Sequence, residues 1–390
     1  MLSQDIPADL MLFLVLYGIT GAVPFSAALY LLFRRGNAIA PDVTPPVRLR
    51  RWAASFFAAA SFGHVLWYCF YNYSSDINSA CYVVVAVLDC MLLLTTIAGT
   101  LLAMLQDRKH PVWPVFAVMV PFVAIGITQI IYPASSFMSI ATIYILSLYV
   151  LFSVYMVFAV RKYGRWLNDN YADLENKKVW LSQLVSLACL LLIILYALAD
   201  VDTYLIYVLH IIELVLFALL LYRVETLPCL TAVSTPIEEE SVLAETPQKE
   251  VPKPSAPLRH KDSLEVGADV LPINIDLAQI ERLLKEHCVN TQLYLQHDLT
   301  LQQLAQTVGT NRYYLSQYFS RQGITYNTYI NNLRINHFIS CYEEATAKGT
   351  PIVAQQLASD SGYRSYSTFS LAFKQRTGQS VTAWVRESGE

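Results

Sequence analysis

Charge is what this 390-residue sequence has least of: Asp, Glu, Lys and Arg together make up 15%, against about a quarter in soluble chains. A wholly water-soluble protein is excluded on that ground, and the 55% of apolar residues points the same way. Glycine is also scarce, at 14 residues, and there is no nucleotide-binding, histidine-kinase or receiver signature. The seven cysteines have no metal-ligand spacing, and no HExxH-type pattern occurs, so no metal site is expected. Neither a cofactor nor an enzymatic activity is called for.

The scarcity is uneven. Residues 1–224 carry 25 charges, whereas the shorter stretch 225–390 carries 32. This divides the chain into a lipid-soluble part and a water-soluble part. A spanning helix needs about 20 mostly apolar residues to cross roughly 30 Å of hydrocarbon. Seven such runs occur, near 10–33, 52–71, 80–105, 112–132, 137–160, 179–199 and 203–222. The loops between them test that number, because cytoplasmic loops concentrate Lys and Arg. Loop one holds Arg34, Arg35, Arg48, Arg50 and Arg51; loop three holds Arg108 and Lys109; loop five holds Arg161, Lys162, Arg165, Lys177 and Lys178. Loops two, four and six hold none. The alternation predicts an external N-terminus and a cytoplasmic C-terminal part. The first nine residues lack Lys and Arg and precede a run of full spanning length, so no cleavable leader is expected. Cys229, Cys288 and Cys341 then lie in a reducing compartment, and Cys69 and Cys81, flanking loop two, are read as separate thiols rather than a bridge.

Ionisable groups inside lipid are costly and often functional. His64, Asp89, His210 and Glu213 are the candidates for a sensor or ligand site, with His210 and Glu213 on one helical face. Interhelical hydrogen bonding that merely holds the bundle together is the alternative. Gln129 is assigned to the structural role.

Residues 225–272 contain seven prolines, no aromatic residue and a net charge of −5. That composition predicts a disordered tether. From Ile275 a helical period begins, followed by LTLQQLAQTVGTNRYYLSQYF. In this run Thr300 and Asn311 suit helix caps, Ala305 suits a close helix crossing and Gly309 a tight turn. A second unit repeats the plan with Ile352, Leu357 and Ala358, then Gly362, then Phe369 and Phe373. Residues 326–345 read as one connecting helix of roughly 30 Å, near the ~34 Å of one DNA turn.

These runs, together with YINNLRI around Arg334 and GYRSYSTFSLAFKQRTG, resemble the DNA-binding domain of the AraC/XylS family of bacterial transcription regulators over residues 275–388. The resemblance implies two recognition helices reading a long asymmetric site, with a regulatory domain elsewhere in the chain. Three departures stand out. Gly323 follows Phe319 by four residues rather than five, Val381 replaces the usual Pro, and Leu371 occupies an exposed recognition position where a polar residue is frequent.

The expected architecture is therefore all-α: a seven-helix transmembrane sensor (1–224), a linker (225–272) and a double helix-turn-helix reader (273–390). Candidate DNA contacts are Arg312, Tyr313, Ser316 and Gln317 from unit one, and Arg364, Ser365, Tyr366, Ser367, Ser370 and Lys374 from unit two. Phosphate contact is the usual destination of such basic residues, while Gln317 and Arg364 suit bases; Tyr314, Phe369 and Phe373 belong to the core. Residues 273–390 have a net charge of only +1, so sequence-independent attraction to DNA is small, and dimerisation through the bundle is expected to add avidity. The function expected is a one-component regulator in a bacterial inner membrane, with promoter DNA, the bilayer, a second copy of the chain and RNA polymerase as partners, and a small-molecule or envelope signal as input. The rivals are a transporter or enzyme with an autoregulatory DNA-binding tail, and an adaptor whose tail docks a protein.

Overall fold

Long apolar runs in lipid leave the backbone no partner but itself, so they fold as helices. The computed structural model describes residues 8–74, 76, 79–133, 137–174, 177–181, 184, 188, 203–230 and 277–388. Its N-terminal part contains α1 (Ala8–Phe33), α2 (Val47–Tyr73), α3 (Ala80–Met104), α4 (Trp113–Ile131), α5 (Phe137–Asn170) and α6 (Thr203–Thr226). All six are long and apolar enough to cross a membrane. The sixth expected span, 179–199, lies almost wholly outside the described residues, as does the greater part of the linker. Among the described residues there is no strand.

The bundle core is built from small residues on α2 (Ala53, Ala54, Ala60) against Leu31, Leu101, Leu102, Phe217 and Leu220. Small side chains let these helices approach closely. The opposite faces carry Ile143, Leu151 and Phe158, each about two-thirds exposed, as lipid-facing residues must be. Three boundaries differ from expectation. Helix α2 begins at Val47 and so carries Arg48, Arg50 and Arg51, which the sequence places in loop one. Helix α5 has 34 residues, about 51 Å at 1.5 Å per residue, so it outruns the hydrocarbon and carries Arg161, Lys162, Arg165 and Asp169 on its last ten positions. Helix α6 continues through Glu225, which is fully buried and paired with Arg34 at 3.0 Å. Leu227 and Leu230 stay in the bundle core.

The C-terminal part contains α7 (Leu277–Leu284), a π-helical turn (Lys285–Val289), a 3-10 turn (Leu293–Leu295), α8 (Leu301–Val308), α9 (Arg312–Arg321), α10 (Tyr326–Ala347), α11 (Ala354–Asp360), α12 (Tyr366–Thr377) and α13 (Val381–Ser388). Helices α8 and α9 form the first unit, around Leu304, Ala305, Val308, Leu315 and Phe319. Helices α11 and α12 form the second, around Ala358, Tyr363, Phe369 and Phe373. Connecting helix α10 contributes to both cores, through Ile330 to the first and Ile335 and Phe338 to the second. Its 22 residues span about 33 Å.

Candidate nucleic-acid interface and membrane polar cluster

Both recognition helices, α9 and α12, and the helix before the first, α8, start where a side chain satisfies free amides. Thr300 and Gln303 form a reciprocal capping box at α8, Asn311 Oδ1 accepts from Tyr314 N at 2.9 Å at α9, and Ser365 Oγ accepts from Thr368 N at 3.3 Å at α12. Gly309 (φ 76°) and Gly362 (φ 88°) make the left-handed turns between helices. At Gly362 a second constraint operates, because an added Cβ would lie 2.7 Å from the Leu295 carbonyl oxygen.

The caps present one face of α9 and one of α12. On α9, Tyr313, Ser316 and Gln317 are exposed, with Gln317 Nε2 donating to Tyr313 Oη at 2.6 Å. Arg312, in the first turn, is only partly exposed, and burial lowers its pKa. On α12, Tyr366, Ser367 and Lys374 are exposed and Ser370 is partly so. Ser365 is engaged as the cap. Tyr314 is partly buried, and Phe369 and Phe373 are fully buried. Leu371 is 54% exposed on this face; an apolar side chain there suits a thymine methyl rather than a polar base edge. Arg364 precedes α12, and its Nη1 lies 3.0 Å from Asp298 Oδ2.

Arg334 holds the domain together. It is 1% exposed, and it donates from Nε to the Tyr294 carbonyl and from Nη2 to the Gln296 carbonyl, both at 2.7 Å. Its guanidinium lies over the Tyr363 ring, 5.4 Å from the centroid. Next to it, His297 Nδ1 is 3.1 Å from the Gly362 carbonyl oxygen. The turn before unit one is thus tied both to the connecting helix and to the turn of unit two.

The four intramembrane candidates come together between α1, α2, α3 and α6. His64 Nε2 lies 3.9 Å from Glu213 Oε2, and His64 Nδ1 is 2.9 Å from the Ala60 carbonyl oxygen. The His64 and His210 rings are 6.3 Å apart, with Tyr17 packed on both. Tyr17 Oη donates to the His64 carbonyl at 2.6 Å. Asp89 Oδ2 accepts from Trp67 Nε1 at 2.9 Å, while its Oδ1 is buried without a hydrogen bond against Gly63, where an added Cβ would lie 2.2 Å away. Gln129 Oε1 accepts from Met138 N at 3.0 Å, bridging α4 and α5. Among the described residues no group of three or more His, Cys, Asp or Glu could hold a metal ion.

Sequence reasoning missed the junction between the two parts. Lys177 Nζ lies 3.0 Å from Asp298 Oδ1, and Asn327 Nδ2 donates to the Tyr171 and Ala172 carbonyls at 3.2 and 2.6 Å. The only available signal was the charged end of α5, which reads as loop in sequence.

Residues 304–387 match a family model described as a helix-turn-helix domain. No curated protein and no solved structure matches the chain. The C-terminal region is accordingly an AraC/XylS-type helix-turn-helix domain of the kind that binds double-stranded DNA in transcription regulators, and it follows a set of membrane-length apolar helices.

Proposed function

We propose that the chain is a membrane-embedded one-component transcription regulator, in which a seven-helix sensor controls sequence-specific promoter binding by the two helix-turn-helix units. The observation that carries this reading is the location of the DNA-binding domain at the end of the bundle where the Lys- and Arg-bearing loops meet. Loop three joins the end of α6 there, with Gln106 Oε1 accepting from Leu230 N at 2.8 Å. Loop one does so through Cys229 N, which donates to the Thr44 carbonyl at 2.9 Å, and loop five meets the reader through Lys177. Basic loops face the cytoplasm, and that charge pattern is what supports a cytoplasmic reader and an external N-terminus in a bacterial inner membrane.

In this reading Arg312, Tyr313, Ser316, Gln317, Arg364, Tyr366, Ser367, Ser370 and Lys374 face DNA, and Ser365 orients α12 through its cap. The cluster of His64, Asp89, His210 and Glu213 receives the signal, because its polar groups sit where only a change of protonation or of helix packing gives them new partners. Two copies associated through the bundle offset the weak electrostatic attraction of a near-neutral reader.

The test is recovery of genomic fragments by the full-length protein in lipid nanodiscs. A recurring sequence, lost in the Gln317→Ala, Lys374→Ala double variant with folding retained, supports the reading. Recovery of no recurring sequence refutes it. Substrate uptake by vesicles that is abolished in Asp89→Asn or Glu213→Gln would instead support a transporter with an autoregulatory tail.

A further inference from the structure

Tyr171 and Ala172 are consecutive, yet they are buried in different domains. Tyr171, 5% exposed, belongs to the bundle core, and Ala172, 1% exposed, to the core of helix-turn-helix unit one. The overshoot of α5 delivers them there. Beyond Asn170 the backbone forms an isolated antiparallel bridge, Tyr171 to Thr300, with Ala172 N donating to the Leu299 carbonyl at 3.3 Å. Asn327, the second residue of α10, supplies donors to the two outward carbonyls. Main-chain groups of the bundle's loop are therefore satisfied by the reader, which is the behaviour of an interface and not of two bodies in casual contact.

The same loop acts on two residues that face DNA. Lys177, 10% exposed at its side chain, and Arg364, 65% exposed, hold opposite oxygens of Asp298. Arg364 thus faces a carboxylate, and the carboxylate is fixed by the bundle. Arg312, at the start of the first recognition helix, lies close enough to Tyr171 for the two to act on each other electrostatically. Asp173, 4% exposed, is likewise within electrostatic reach of the buried Arg334.

A path leads back to the intramembrane cluster. Arg223 of α6 donates from Nη2 to the Lys178 carbonyl at 2.8 Å, one residue from Lys177. Glu213 and His210 lie ten and thirteen residues earlier on the same helix, about 15–20 Å away along a rigid rod. A shift or rotation of α6 therefore moves the loop that holds the reader.

We propose that residues 161–174 and 177–178, at the cytoplasmic end of α5 and beyond it, form an internal docking surface for the DNA-binding domain, and that the docked state shown here is autoinhibited. Docking fixes Asp298 beside Arg364 and brings Tyr171 within electrostatic reach of Arg312, so phosphate must compete with a resident carboxylate at Arg364. The outer ion pair is exposed and contributes little by itself; Ala172, Asn327 and Lys177 hold the surface. Movement of α6 releases it. This inference rests on the regulator reading and names the means of its control.

The test uses the full-length protein in nanodiscs. Carbodiimide, which joins an amine and a carboxylate in contact, is expected to form a Lys177–Asp298 amide detectable by mass spectrometry. The dock-breaking variants Lys177→Glu and Ala172→Asp lie outside the reader and are expected to bind the recovered promoter segment about tenfold more tightly than wild type, or about 1.4 kcal/mol. The charge swap Lys177→Glu with Asp298→Lys is expected to return affinity towards wild type, although it adds a cation to the reader. No crosslink, or unchanged affinity in both dock-breaking variants, overturns the proposal. Failure of the regulator reading looks different: the crosslink forms, but no variant binds any sequence, and the dock is then packing without an inhibitory role.

Discussion

Asn327 donates its side-chain amide to the Ala172 carbonyl at 2.6 Å, across 155 residues of sequence. The same nitrogen reaches the Tyr171 carbonyl, and Asn331 Nδ2 donates to Asn327 Oδ1 at 3.1 Å. Replacing Asn327 with Ala leaves two loop carbonyls without this donor, a loss of about 1–3 kcal/mol if water does not replace it. Amide exchange in a peptide covering residues 166–181 of full-length protein should accelerate, while exchange in α8 and α9 stays unchanged.

Gly63 and Asp89 should show strong coupling. A methyl at Gly63 would collide with the buried Asp89 carboxylate, and overpacking of this kind costs about 1–3 kcal/mol. Gly63→Ala should lower the thermal midpoint of the bundle in nanodiscs. Asp89→Ala loses the Trp67 bond, yet combined with Gly63→Ala it should cost less than the two single changes added together.

Two glycines with similar backbone angles should respond unequally. Gly309 has open space around its missing side chain, so Gly309→Ala suffers mainly from its positive φ, about 1 kcal/mol. Gly362→Ala suffers the same strain and also meets the Leu295 carbonyl, so its cost should be larger. Thermal unfolding of the full chain, followed through protease resistance of the DNA-binding domain, should rank them in that order.

Acid should open the junction only outside the physiological range. Burial alone would raise the Asp298 pKa, but Lys177 and Arg364 outweigh it and hold the carboxyl below its usual value near 4. Because the folded-state pKa is the lower one, the ion pairs contribute fully above the unfolded value and are lost as pH falls through the folded one. Protease resistance of the junction should therefore be constant from about pH 8 to 5 and decline only below about pH 4. In Asp298→Asn that acid-dependent decline should vanish.

What could be read from sequence was what is local. Caps at Thr300 and Asn311, turns at Gly309 and Gly362 and the apolar stripes of the reader depend on residues within a few positions of one another, so spacing reveals them. Lipid spans are legible for the same reason, although the charges from Arg161 onward made the last ten residues of α5 look like loop when they continue the helix. The junction was hidden because Ala172, Asp298, Asn327 and Arg364 each have an ordinary local role; only the fold brings them together. Ser365, a candidate DNA contact by its place in the sequence, also caps α12, a role its position directly before the helix equally suits.

Arg334 gives the two reading heads the character of a caliper set before DNA arrives. Its bonds to the 293–296 turn and its place over Tyr363, with His297 against Gly362, tie both heads to the connecting helix and oppose their following a stretched site. Inserting about five base pairs between the two contacted segments, half a helical turn, would carry one segment to the far side of the duplex. Binding should then fall to that of a single head, and a further insertion of about five should not restore it, since the gap between the heads is fixed in length as well as in phase.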